Sequence, residues 1–495
     1  MSEQRRSASS GQQHPPTDTP GAVAAPEGPA DPSSQAPTPQ GTAAPIPFET
    51  VPITTGPLQR TMRQELRSWQ IRIFALSWLA YVAFYFPRSA FSAAKVGVLD
   101  EGFMSRETLG LLDALYLAAY AVGQFVWGAT AERFGTKVVV AGGMIMACVA
   151  AILMGLSPAV WMFIPLMLVQ GLAQSTGWSG LSKNIAMFFS VTVRGRAMGF
   201  FSTSYAFGGL VGAPFCAWFA YQLFDSWRWA FIAGAGAMLI AIVIFFIFQR
   251  NSPEDVGLPS IDSNKELLNG PYLGKIPVQA VSPVTHSGKP ARRPMKLSDL
   301  LAAVRHDPMV LRLGLVYFLI KPARYAILLW GPVLVLEAAP QLSMMNAVLV
   351  PVAFGVAGVF APIAAGWLSD TVFGARRVPP SVLCLVLLVV SLALWQPIAA
   401  TGSITGITVL LAAVGLTAYG ADSMISGVAA VDFGTSKYAA GATGFINGCG
   451  SIGAILGGLL PGFLTGSTIF TLFAGAALVG ALIMLPSWNK RPAAA

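Results

Sequence analysis

Residues 128–137 read GATAERFGTK, and residues 366–377 read GWLSDTVFGARR. Each stretch opens on a glycine (Gly128, Gly366) and places an acid four residues on (Glu132, Asp370). Each then returns to glycine (Gly135, Gly374) and carries basic residues (Arg133 and Lys137 in the first, Arg377 in the second). Small glycines let helix ends approach closely, and the acid can pair with a nearby base or cap a helix end. One such motif is a weak signal. Two at equivalent places on either side of a polar segment indicate an internally duplicated chain.

Around these motifs the composition excludes an ordinary soluble protein. Of 495 residues, 54% are hydrophobic and 11% charged, and the mean hydropathy is +0.63. Soluble domains carry about 25% charged residues. The four cysteines (Cys148, Cys216, Cys384, Cys449) lie in apolar stretches without metal-ligand spacing, and the three histidines are scattered (His14, His286, His306). No nucleophile–base pair, metal cluster or phosphate-cradling glycine loop stands out, so neither an enzyme nor a bound cofactor is expected. The class is an all-α membrane protein.

Twelve apolar stretches are each about long enough to cross ~30 Å of hydrocarbon as a helix. They lie near 70–95, 108–131, 137–157, 160–186, 196–222, 227–249, 308–336, 345–369, 379–400, 404–428, 437–464 and 466–487. The organisation expected is a Pro-rich tail (1–57), a six-helix bundle (58–249), a polar linker (250–307), a second six-helix bundle (308–489) and a short tail (490–495). Net charge is +9, but the basic residues sit in every second loop, which is a topology signal rather than a nucleic-acid footprint. Lys95 and Arg106 fall in the connection after the first stretch, among the loops with few basic residues. Both termini are therefore expected in the cytoplasm. The chain is expected in the cytoplasmic (plasma) membrane, the inner membrane of a bacterium, as a monomer.

A charge at bilayer depth costs at least ~2.5–3.5 kcal/mol, so the intramembrane charges mark the place to look. Arg88 lies in FYFPRSAF (84–91) of the first span, and Arg324 in LIKPARYAILLWGP (319–332) of the seventh. They hold equivalent places in the duplication, each beside a proline, and neither has an acid within one helical turn. Arginine's planar fork suits bidentate binding of phosphate or carboxylate. The competing arrangement pairs each with an acid on another helix, for which Asp113, Asp422 and Asp432 are available. Lys321 shares a face with Arg324, and Tyr81 and Tyr85 share a face with Arg88. Tyr120 and Tyr419 are further hydroxyls expected in the core.

The duplicated motifs, together with twelve spans, resemble the major facilitator superfamily over residues 60–490. That resemblance implies two pseudo-symmetric bundles around a cavity that opens alternately to either side. The paired glycine–acid motifs would then be gating and structural. Further stretches resemble the organophosphate:phosphate antiporter family: YVAFYFPRSAFSAA, RYAILLWGP, GLAQSTGWSGLSKNIAMFFS (171–190), NSPEDVGLPSID (251–262) and YAAGATGFINGCGSIGAILGG (438–458). This resemblance implies that a small phosphate ester is exchanged for inorganic phosphate. Arg88 and Arg324 would clamp the phosphoryl group, and Tyr81, Tyr85, Tyr120 and Tyr419 would fall where glycerol-phosphate members carry pocket tyrosines.

The chain departs from those members in places. Gln124 stands for a pocket lysine, Met187 for a histidine, Leu329 for an acid, Lys321 for a tyrosine, and Ser179 and Gly180 for two prolines. Lys321 is expected to supply the charge of the missing lysine, so the site set is Arg88, Arg324, Lys321, Tyr81, Tyr85, Tyr120, Gln124 and Tyr419. Two other readings remain open. One is a proton- or sodium-coupled carboxylate transporter, with Asp113, Asp422 and Asp432 as proton carriers. The other is a transporter-like sensor of phosphate esters.

Overall fold

The structure is a computed structural model that describes residues 61–259, 261, 308–374, 376–429 and 439–490. The Pro-rich tail, most of the linker, Asp432 and the histidines His14, His286 and His306 lie outside the described residues.

A helix is the simplest way for an apolar chain to satisfy its own backbone in hydrocarbon. Before the linker the chain forms α1 (Met62–Asp100), α2 (Arg106–Phe134), α3 (Thr136–Leu156), α4 (Phe163–Phe188), α5 (Val191–Trp218) and α6 (Arg228–Phe248). After it come α7 (Pro308–Ala338), α8 (Met344–Thr371), α9 (Val378–Ala400), α10 (Ile404–Asp422), α11 (Ala439–Phe463) and α12 (Gly466–Met484). Among the described residues, α3, α6 and α7 to α12 are each long and apolar enough to cross a membrane by themselves. The other four (α1, α2, α4 and α5) have the length, at 39, 29, 26 and 28 residues, but carry more polar side chains. Those polar side chains include most of the N-terminal half of the site.

The expected duplication is visible in the packing. In the first half α1 packs on α5 and α6, α2 on α4, and α3 on α4 and α6. In the second half α7 packs on α11 and α12, α8 on α10, and α9 on α10 and α12. Adding six to each helix number turns one set into the other. Gly135 joins α2 to α3 in a single residue at φ +81°, a backbone state that L side chains rarely adopt. Gly374, its counterpart, has φ +56°.

The halves meet where α2 packs on α11, α5 on α8 and α1 on α7, and the α2–α11 contact lies at the end holding the α1–α2 and α11–α12 connections. Gly110 of α2 faces Gly462 of α11 so closely that a Cβ at 110 would stand 2.9 Å from the Gly462 Cα and 2.8 Å from the Leu459 carbonyl. Pro332 in α7 has no N–H, which leaves the Leu328 carbonyl without its helical donor. The Ser92 hydroxyl of α1 donates to that carbonyl at 3.2 Å. One turn along α1, Lys95 donates to the Leu329 carbonyl at 2.9 Å.

Lys95 and Arg106 correct the loop assignment made from sequence. The first helix runs on to Asp100, so Lys95 lies inside it, fully buried, where its ammonium pairs with Asp113 of α2 and sits 4.3 Å from the Trp330 ring. Arg106 opens α2 and crosses to the other half, pairing with Glu337 and donating to the Pro461 and Leu464 carbonyls. The connection between the first two helices is shorter than expected because its charges find partners in the protein instead of in water.

Substitutions at Gly110, Asp113 and Lys95 probe this end. Gly110→Val meets backbone that has no room to give, so it is expected to destabilise the protein by about 1–3 kcal/mol. Gly142→Val, at a position with open space around it, is the control and is expected to leave the melting temperature of the purified protein unchanged. Asp113→Ala strands the buried Lys95 charge, with an expected cost of about 3–5 kcal/mol. The paired replacement Lys95→Met with Asp113→Leu, which leaves no buried charge behind, is expected to melt above Asp113→Ala alone.

Candidate functional site

Arg88 projects from the middle of α1 next to Pro87. Its Nε donates to the Gln174 side-chain oxygen on α4 at 2.7 Å, and its guanidinium stands 4.7 Å from the Tyr85 ring and 5.0 Å from the Tyr120 ring. Tyr116 also donates to the Gln174 oxygen, at 3.0 Å. Among the described residues no acid touches Arg88. Several buried polar atoms here have no hydrogen-bond partner among the described residues: Arg88 Nη2, Gln174 Nε2 and both side-chain polar atoms of Gln170. Buried polar atoms are nearly always satisfied, so such a cluster marks a place built for something polar. Arg88, Tyr116, Gln170 and Asp113 line one small pocket among α1 to α4 of the first half, which Leu329 of α7 borders.

Arg324 holds the equivalent place on α7, between Pro322 and Pro332. Its guanidinium pairs with Asp422 of α10 and lies 4.0 Å from the Tyr419 ring, while its Nε is buried without a partner among the described residues. Lys321, one turn earlier, donates to the same carboxylate at 3.1 Å and to the Tyr317 hydroxyl. Asp422 ends the regular part of α10, and the wider π-helical turns of Ser423–Ala429 begin at the next residue. Such turns recur at functional sites. Arg88 on α1 and Arg324 on α7 stand on helices that pack against each other across the two halves. Counted together, three cations and one carboxylate leave two positive charges uncompensated.

The structure therefore brings Tyr85 and Tyr120 to Arg88, and Lys321 and Tyr419 to Arg324. Tyr81 is buried one turn from Tyr85, against Trp178 and Phe201, each with ring centroids 5.5 Å away. Gln124 is exposed one turn beyond Tyr120 and contacts neither arginine among the described interactions. Pairing with an acid on another helix holds for Arg324 and Lys321, through Asp422, and not for Arg88. Asp113 is taken by Lys95 instead. Sequence reading missed Gln170, Gln174, Tyr116 and Tyr317. Their signal was present, since polar residues at one-turn spacing on apolar helices mark a lined cavity, but only a partner on another helix distinguishes them from polar residues facing lipid headgroups.

The motif residues lie at the opposite end from the inter-half contacts. Arg377 pairs with Asp370 at 2.7 Å and donates to Ser369 at 2.9 Å, tying α8 to the start of α9. The Lys137 backbone N–H donates to the Asn251 side chain at 2.7 Å, and its ammonium stands 4.9 Å from the Phe246 ring. Arg133 lies exposed over Phe134. Gly128 and Glu132 fall in the last turns of α2, and their side-chain surroundings lie outside the described part of the structure. Gly366 has open space around it.

Comparison with known proteins fits this geometry. A probable hexose phosphate transport protein of Chlamydia muridarum is 28% identical over 444 residues, covering 86% of this chain and 93% of its own. A membrane sensor protein, UhpC of Escherichia coli, is 27% identical, with 86% and 93% covered. A glycerol-3-phosphate transporter of Bacillus subtilis is 26% identical, with 85% and 92% covered. Among solved structures, a bacterial homologue of the human lysosomal transporter Spinster, in an inward-facing and unoccupied conformation, aligns with a TM-score of 0.61 at 12% identity. That alignment covers 85% of this chain and 96% of the other. At that identity it speaks for the fold alone. The Major Facilitator Superfamily model matches residues 77–457. With six-plus-six helices, repeated packing and duplicated loop motifs already in view, that match settles the classification: the chain is an integral membrane protein that belongs to the major facilitator superfamily.

Proposed function

We propose that the chain is a secondary transporter of the organophosphate:phosphate antiporter type, exchanging a phosphate monoester for inorganic phosphate by alternating access. The observation that carries this reading is the paired intramembrane arginines, with two positive charges left over after Asp422 is counted. A phosphoryl group carries about −1.5 to −2 at neutral pH and three acceptor oxygens. It thus matches the surplus charge and can meet the unpartnered nitrogens of both arginines. The hexose phosphate and glycerol-3-phosphate transporters among the relatives support the same substrate class.

Arg88 is held for this task. Gln174 fixes its Nε and leaves Nη2 free, and Tyr85 and Tyr120 place aromatic faces against the guanidinium, favouring the cation at a modest desolvation cost. A bound anion draws Arg88 of one half and Arg324 of the other together. An empty site instead sets like charges facing each other and disfavours closure. Only a ligand that binds the closed arrangement better can shift the equilibrium toward it, which is the basis of coupled exchange.

The alternation of basic loops supports cytoplasmic termini. The contacts of Ser92, Lys95 and Arg106 then close the outer end, and the site faces inward. The six-plus-six helices of one chain hold the whole site, so a monomer suffices. A second reading, a phosphate-ester sensor without useful flux, has one observation in its favour: the similarity to UhpC.

The test is uptake of radiolabelled phosphate by proteoliposomes loaded with phosphate, with glucose-6-phosphate, glycerol-3-phosphate, phosphoglycerate and succinate added outside. Uptake is expected to require internal phosphate and to be blocked by one of the phosphate esters. Losing a charge-assisted contact costs about 1.5–3 kcal/mol, so Arg88→Ala and Arg324→Ala should each weaken exchange by about 10- to 100-fold. Unchanged exchange in Arg88→Ala would sink the proposal. Ester binding without exchange would establish the sensor instead, and inhibition by succinate alone would establish a carboxylate carrier.

A further inference from the structure

Arg88 and Arg324 hold equivalent places in the two halves but do not have equivalent partners. The helix facing Arg88 is α4, and it offers the neutral amide of Gln174. Its counterpart in the second half is α10, and it offers the carboxylate of Asp422. One arginine is therefore empty-handed toward anions, while the other already holds one. That internal anion is the last residue of the regular helix, and the wider turns of Ser423–Ala429 begin right after it. It also has a second cation at hand, because Lys321 donates to its other oxygen at 3.1 Å, and Lys321 is in turn held by the Tyr317 hydroxyl.

We infer that Asp422 is an internal counter-anion for Arg324 that the incoming phosphoryl group displaces onto Lys321. The inference rests on the transport reading above and deepens it. In the empty site Asp422 neutralises Arg324 and spares the membrane core a third unpaired charge. When a phosphoryl group reaches Arg88, it competes with Asp422 for Arg324. The carboxylate keeps its bond to Lys321, so the exchange leaves no buried anion without a partner. On release Asp422 returns to Arg324 and helps expel the product. Lys321, read from sequence as a direct substrate ligand, becomes the residue that receives Asp422. A tethered competitor weakens anion binding and speeds anion release, as a carrier that must let go on both sides requires.

The experiment is phosphate–phosphate exchange in proteoliposomes, reading half-saturating phosphate and maximal rate separately. Asp422→Asn is expected to lower half-saturating phosphate about tenfold and to lower the maximal rate, because the competitor is gone and release slows. Asp422→Glu, which keeps the charge, should stay within a few-fold of wild type. Lys321→Met, which removes the receiving cation, should raise half-saturating phosphate. The double variant Lys321→Met with Asp422→Asn restores the net charge of the site and should return half-saturation toward wild type. A residue that merely scaffolds Arg324 would weaken phosphate binding on removal. Thus a raised half-saturation in Asp422→Asn, or a shift of the same sign in Lys321→Met and Asp422→Asn, overturns the inference. If Asp422→Asn does not fold, Lys321→Met with unchanged or lower half-saturation overturns it alone. Wild-type protein that exchanges no phosphate overturns the transport reading and this inference together, whereas normal wild-type exchange with the wrong signs overturns only the inference.

Discussion

A charge inside the hydrocarbon layer has to be held by something, and the charged residues of this chain are arranged by that requirement. Lys95 is held by Asp113, the Leu329 carbonyl and the Trp330 ring. Arg324 and Lys321 share Asp422. Arg88 has an amide and two aromatic rings, and no acid among the described residues. The three solutions differ in how completely the charge is satisfied, and the difference separates structural from functional cations. A fully caged ammonium fixes a contact. A guanidinium with a buried, unpartnered nitrogen leaves a place for a ligand.

The duplication gives the two halves the same helix order and the same packing, and the site arises where they have diverged. One half presents Gln174 to its arginine and the other presents Asp422. The contact between halves is also set by local chemistry. Pro332 removes a donor from α7, and the freed Leu328 carbonyl is taken by Ser92 across the interface. Lys95 takes the neighbouring carbonyl and carries Asp113 with it, while the facing glycines Gly110 and Gly462 let α2 and α11 come together. One end is thus joined by proline, glycine and a buried ion pair. At the other end Arg377 pairs with Asp370 in the second half, and the Lys137 backbone N–H donates to Asn251 in the first.

Much of this was legible in the amino-acid sequence. Apolar stretches of membrane-spanning length determine that the chain forms helices, because backbone polar groups in hydrocarbon must be satisfied within the segment. The repeated glycine–acid–glycine motifs and the alternation of basic loops determined the six-plus-six order. Arg88 and Arg324 stood out because an arginine amid apolar residues is costly wherever it points. What sequence could not supply was the partner of each charge. Lys95 read as a loop residue because its neutralising acid, Asp113, is eighteen positions away on the next helix. Asp422 was one of three acids of equal standing, and Gln174 was one polar residue among several on α4. Spacing along a helix tells which residues share a face, but not which face of another helix lies opposite. That is decided by how the helices cross, through close-packed glycines and proline-freed carbonyls, and only the tertiary structure holds that information.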